Sequence, residues 1–174
     1  TSAKFTASIA AFWAGYADET PSSDDIRMNN SYFSGARSGD PRTITVSGLN
    51  SVFGVGKEYK VVVYMRGTDV GVTNRAFQYT VSDGTTSQDL YNKWSNTTFD
   101  GTYSETTYAT AAEADAGSTL TNYGVFDAGF TGDSVTLSAY SGGGNNAYRV
   151  AIAGIQIVEV PEPATMSLLA LGGV

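Results

Sequence analysis

The chain has 174 residues and a formal net charge of −7, with charged residues only 16% of the total. That is one domain of ordinary size, without the basic face that nucleic-acid phosphates or an anionic membrane surface would require. Cys and His are both absent, which removes disulfides, thiolate chemistry, the commonest general base and the commonest metal ligand together.

The abundance of Gly, Ser, Thr, Tyr and Val is strand-and-turn composition, and no run of about 20 apolar residues is present to span a bilayer. The first residue is Thr1. An export signal removed before it is the expectation, the alternative being a fragment edge.

Residues Lys4 to Tyr16 alternate apolar positions with one change of phase, which predicts a strand carrying a bulge. Asp18 to Asp40 reads as a long polar connection with a short strand near Met28 to Phe33. Regular signals begin at Thr43 to Val46, followed by the turn Ser47-Gly48. Lys57 to Met65 is the strongest strand, and its unbroken apolar run predicts burial on both faces. Ala76 to Val81 alternates and ends in the turn Ser82-Asp83-Gly84.

Leu90 to Trp94 and Thr98 to Tyr108 read as weaker strands or ordered loop. Asn122 to Phe126, Ser134 to Tyr140 and Tyr148 to Val158 close the domain. This number of strands, with short turns between them, predicts an all-β antiparallel sandwich with helix confined to a turn or two.

Chemistry-bearing groups are few, and no residue is assigned a catalytic role. Asp18, Glu19, Asp24 and Asp25 crowd one loop that has the oxygen ligands Ca²⁺ takes, without the EF-hand pattern. A solvated turn-rich loop is the favoured account of them, so no metal or cofactor is assigned. Trp13, Trp94, Tyr91, Phe99, Tyr103 and Tyr108 are candidate sugar-stacking residues, with core packing as the alternative and the favoured reading for Trp13; Tyr91 and Trp94 are the candidate glycan contacts. Asn29 and Asn96 each open an N-glycosylation triplet.

After the last strand comes Val160-Pro161-Glu162-Pro163-Ala164-Thr165, and then an apolar tail containing Met166, Leu168, Leu169 and Leu171. This resembles the PEP-CTERM sorting signal of exported bacterial proteins. There a V-P-E-P-[AS]-T motif leads into an apolar segment and a basic cluster, and is handled by an exosortase. The body from Asp24 to Val158 also resembles the jelly-roll-like sandwich that often precedes the signal, through DDIRMNNSYF, TITVSGL, YKVVVYM and AGIQIVEV. The resemblance implies a surface or matrix component associated with exopolysaccharide.

The tail departs from the signal, because no Arg/Lys cluster follows it. Its eleven residues from Ala164 to Val174 would reach about 16 Å as a helix but about 36 Å as a strand. A strand of that length can complete a neighbouring sandwich by donation. The sequence therefore divides into a sandwich over residues 1–160 and a sorting motif with a candidate donor strand over 161–174. The expected protein is a non-enzymatic, extracellular or cell-surface subunit. It is joined head to tail into a filament or biofilm matrix through Met166, Leu168, Leu169 and Leu171, with itself and exopolysaccharide as partners and without nucleic acid. A monomeric, surface-retained carbohydrate-binding module is the alternative.

Overall fold

The computed structural model describes residues 3–8, 11–14, 31–34, 42–67, 75–94, 102–140 and 150–161. Ten strands form two five-stranded sheets. The first sheet has the order β1 (Lys4–Ser8), β4 (Arg42–Ser47), β9 (Ser134–Tyr140), β6 (Arg75–Ser82), β7 (Ser87–Trp94). The second has β2 (Ala11–Ala14), β3 (Ser31–Ser34), β10 (Val150–Glu159), β5 (Tyr59–Gly67), β8 (Tyr123–Phe130). Neighbouring strands pair antiparallel throughout.

The sheets face one another across a single core. Val61, Val63 and Met65 of β5 and Phe126 and Phe130 of β8 meet Tyr79 and Val81 of β6 and Leu137 of β9, all removed from solvent. Each such side chain gains about 1.5–3 kcal/mol from burial. The all-β sandwich expected from the strand spacing is the fold observed.

Two local expectations change. The segment Lys4 to Tyr16 is two strands in different sheets, β1 paired with β4 and β2 paired with β3. The segment is therefore not the single bulged strand expected. The β5 strand is buried on one face only: Tyr59, Val61, Val63 and Met65 are at most 1% exposed, whereas Lys60, Val62 and Tyr64 are half-buried. Val62 pairs with Val125 on the outer face, where β-branched residues suit a pleated, partly covered surface.

Two short helices interrupt the strands, α1 (Asn50–Phe53) and α2 (Ala111–Ala116). The second begins with a capping box: the Thr110 side chain accepts from the Glu113 amide, and the Glu113 side chain accepts from the Thr110 amide. It lies on the outer side of β6 and β7, over Ala76 and Lys93, which are 4% and 5% exposed.

Residues 102–110 join the two sheets on the side of β7 and β8. The Tyr91 amide donates to Tyr108 O at 2.9 Å, and the Thr106 amide to Tyr123 O at 2.7 Å. Among the described residues, β1 and β2 each pair with one strand only, so the opposite side of the sandwich carries two edge strands.

Candidate functional site

The outer face of the second sheet carries a cluster of three tyrosines. Tyr64 on β5 and Tyr123 on β8 are cross-strand partners, and Tyr103 comes from the segment that joins the sheets. Tyr103 lies edge-on to both, with ring centroids 5.7 Å from Tyr64 and 6.2 Å from Tyr123; Tyr64 and Tyr123 lie 6.3 Å apart. These separations fall within the range favoured by aromatic quadrupoles.

Side-chain clamps fix Tyr103. Asn122, immediately before β8, donates through Nδ2 to Thr102 O at 2.7 Å and accepts the Ser104 amide on Oδ1 at 2.9 Å. It thus holds the backbone on both sides of Tyr103. Its neighbour Thr121 accepts the Lys93 amide on Oγ1 at 3.1 Å. Thr106 donates to Tyr91 O. Asn122, Thr121 and Thr106 are all buried, as polar groups that complete backbone hydrogen bonds can be.

Polar groups surround the rings. Tyr123 Oη donates to Glu105 Oε2 at 3.2 Å, and Tyr64 Oη to Gln156 Oε1 at 3.5 Å. Burial, and then the Glu105 charge, push the Tyr123 phenol up, so it remains a hydrogen-bond donor at neutral pH. Glu105 and Gln156 are exposed and retain hydrogen-bonding capacity. Gly154 stands in register beside Tyr64 and adds no side chain there.

The outer face of the first sheet has a different character. Thr45, Thr136, Ser82 and Ser87 form one rank across β4, β9, β6 and β7, and Thr43, Ser138, Thr80 and Asp89 form the next. A third rank is Tyr140, Gln78 and Tyr91. Gln78 donates to Asp89 Oδ2 at 3.1 Å, and Thr80 to Asp89 Oδ1 at 2.6 Å. Burial, then the Asp89 charge, raise the Tyr91 phenol.

Of the residues singled out from sequence, Tyr91 lies on this hydroxyl-rich face. Trp94 ends β7 in register with Arg75, and the structure describes its backbone alone. Val160 extends the β10–β5 ladder, its amide donating to Glu58 O at 2.8 Å, and Pro161 is exposed. Asp18, Glu19, Asp24, Asp25, Asn29, Asn96, Glu162, Pro163, Ala164, Thr165, Met166, Leu168, Leu169 and Leu171 lie outside the described residues. Among the described residues, no three Asp or Glu side chains come together as a metal site.

Of the tyrosine cluster, the sequence singled out Tyr103 alone; of the other aromatic candidates, Tyr108 packs on Gly117 and Phe99 lies outside the described residues. A signal for Tyr64 was available in its falling on the opposite parity from Val61, Val63 and Met65 within one strand.

No family model matches the chain, and no curated protein matches it.

Proposed function

We propose that the chain is a non-enzymatic, exported carbohydrate-binding sandwich that works at the cell surface or in an extracellular matrix. The observation that carries this reading is the Tyr64–Tyr103–Tyr123 cluster with Glu105 and Gln156 beside it. A pyranose ring presents an apolar C–H face and a rim of hydroxyls. Tyrosine rings accept the first by stacking, the phenols of Tyr64 and Tyr123 and the adjacent carboxylate and amide accept the second, and two-χ side chains are ordered at small entropic cost.

The VPEPAT motif, with its resemblance to a sorting signal, supports export and retention at the surface. A chain without His or Cys lacks the usual nucleophile–base pairs, which favours binding over turnover. The experiment is retention on immobilised polysaccharide. The parent chain should be retained, Tyr64→Ala and Tyr123→Ala should each elute at least tenfold more readily, and free reducing ends should not increase. Retention unchanged in both variants would overturn the reading.

A second reading is the head-to-tail filament, favoured by the two edge strands β1 and β2 on one side of the sandwich. Unpaired strand edges are templates for an added strand, and a contact of that kind need not close. Electron microscopy of the purified chain tests it. Filaments lost on replacing Leu169 and Leu171 by Asp would favour polymerisation, and dispersed single particles in the parent chain would exclude it.

A further inference from the structure

The rank Tyr140–Gln78–Tyr91 lies on the opposite face of the sandwich from the tyrosine cluster, and nothing in the reading above uses it. Tyr140 on β9 and Tyr91 on β7 flank β6, each in register with Gln78. Tyr140 is 36% exposed, and Tyr91 and Gln78 are half-buried. Two strand spacings put the backbones of the two tyrosines about 9.6 Å apart. That is close to the repeat of two β-1,4-linked sugar rings, whose alternate members present the same face.

Between the tyrosines lie an amide and, one rank along, the hydroxyls of Thr80 and Ser138 and the carboxylate of Asp89. Asp89 holds Gln78 and Thr80 by the two hydrogen bonds described, which orients both side chains on the surface. The helix α2 covers the next rank, at Ala76 and Lys93, and so bounds the face on one side. The outward positions of β9 from Ser134 to Tyr140 carry no charge. A floor whose carboxylate, Asp89, is engaged by Gln78 and Thr80, with aromatic ends and hydrogen-bonding groups between them, suits a neutral, extended polysaccharide. It suits an ionic partner or a lipid surface poorly.

We propose that Tyr140, Gln78 and Tyr91 form a second polysaccharide-binding row, so that one domain binds a chain on each outer face and cross-links the two. This rests on the carbohydrate-binding reading of the tyrosine cluster. A binder with one face decorates a polymer, whereas a binder with two opposite faces gels it, and the function becomes that of a matrix cross-linker. Avidity follows as well, because a second contact on a linked chain is an intramolecular event.

The test uses the full chain with β-1,4-linked hexaoses of glucose, xylose and N-acetylglucosamine, and with hydroxyethylcellulose as a long polymer. Calorimetry should give two hexaose sites per chain for at least one sugar, and light scattering should rise when protein is added to the long polymer. The double variant Tyr91→Ala/Tyr140→Ala should keep one site and lose the scattering increase. Tyr64→Ala/Tyr123→Ala should do the same from the other face. Tyr91→Phe/Tyr140→Phe, which keeps both rings, should retain both sites and cross-linking, and thermal melts establish that each variant is folded.

One site, unaffected by Tyr91→Ala/Tyr140→Ala and lost in Tyr64→Ala/Tyr123→Ala, would overturn the second row and leave the carbohydrate reading standing. Cross-linking by a chain that sediments as a dimer, with one site per chain, would place the valence in self-association and also overturn the second row. Binding to none of the sugars would overturn both readings together.

Discussion

The carboxylate of Asp83 accepts the amide of Gly132, 49 residues away, at 3.0 Å on Oδ2. The same oxygen takes the Thr131 amide at 3.0 Å, and Oδ1 takes Thr85 and Thr86 at 2.9 and 2.7 Å. One side chain therefore closes the β6–β7 hairpin of the first sheet and fastens it to the β8–β9 turn, where the chain passes from one sheet to the other. Gly132 approaches so closely that an added Cβ would stand 2.9 Å from Asp83 Cβ and 3.0 Å from Asp83 O.

Acid stability should depend on this contact. Burial opposes the charge on Asp83, but the amides of Thr86, Thr85, Thr131 and Gly132 outweigh it and hold the carboxyl below its ordinary value. A carboxyl depressed in the folded state stabilises above its unfolded pKa, and loses that contribution as pH falls through the folded pKa. We expect Asp83→Asn to cost about 1–3 kcal/mol at pH 7 and to show a shallower loss of stability on acidification below pH 4. Urea melts across pH 2–7 measure both. Gly132→Ala should destabilise by about 1–3 kcal/mol through overpacking, with backbone among the atoms that must move.

A buried lysine holds α2 in place. Lys93 Nζ donates to Asp115 O at 2.8 Å and also to Gly117 O, supplying donors to carbonyls that a helix C-terminus leaves without partners. Tyr108 packs on Gly117, where a Cβ would fall 2.2 Å from its Oη. Lys93→Met keeps the apolar stem and removes the donors. It should cost about 1–3 kcal/mol, and should speed protease cleavage within residues 111–119 before it affects the sheets. Thr110→Ala should cost about 1 kcal/mol by removing half of the capping box.

The position of Tyr103 should depend on Asn122. Asn122→Ala removes the hydrogen bonds to Thr102 O and the Ser104 amide. The two backbone groups flanking Tyr103 then lose their side-chain partner, at a cost of about 1–3 kcal/mol. Because the edge-on contacts to Tyr64 and Tyr123 require that backbone, polysaccharide affinity should fall at least threefold in a variant that remains folded. Asn122→Asp keeps the acceptor for Ser104 but sets a buried carboxylate oxygen against the Thr102 carbonyl, and should cost at least as much as Asn122→Ala. Affinity electrophoresis beside a thermal melt separates positioning from unfolding.

The strands were legible wherever alternation was strict. Ser134 to Tyr140 is β9 to the residue, and the turn Ser82-Asp83-Gly84 stands where its side chains and its Gly84, at φ 90°, require. The helix α2 was not placed although Thr110-x-x-Glu113 carries the capping-box spacing, because the stretch after Tyr108, rich in Ser, Thr and Ala, gives no clear period. The two-sided burial expected for β5 hid Tyr64, and with it the second-sheet cluster. An unbroken apolar run cannot by itself tell a covered outer face from an open one. Tyr103 and Tyr123 are 20 residues apart and meet only because residues 102–110 bridge the sheets, a placement no local pattern encodes.

Alkaline stability should depend on Tyr59, which shares the same node as Asp83. Its ring stacks between Phe53 and Phe130, with centroids 6.1 Å from each, and its hydroxyl donates to Gly132 O at 3.1 Å. Burial, followed by the charges of Asp83 and Asp133, pushes the phenol up to about 12. Ionisation would place an anion in the core beside two carboxylates and remove the donor to Gly132. A phenol whose folded pKa lies above its unfolded value contributes stability that is fully present below about pH 10, and is lost as pH rises towards 12. The parent chain should therefore lose stability across that window. Tyr59→Phe should be less stable at pH 7 by about 1 kcal/mol, since one hydrogen bond is lost and the Gly132 carbonyl must find water. Its stability should then decline less steeply between pH 10 and 12, bringing the two proteins together. Spectrophotometric titration at 295 nm should show one tyrosine fewer ionising late in the variant. A parent chain whose stability is flat across that window would show that the Tyr59 phenol ionises at its ordinary value and that Asp83 and Asp133 do not act on it.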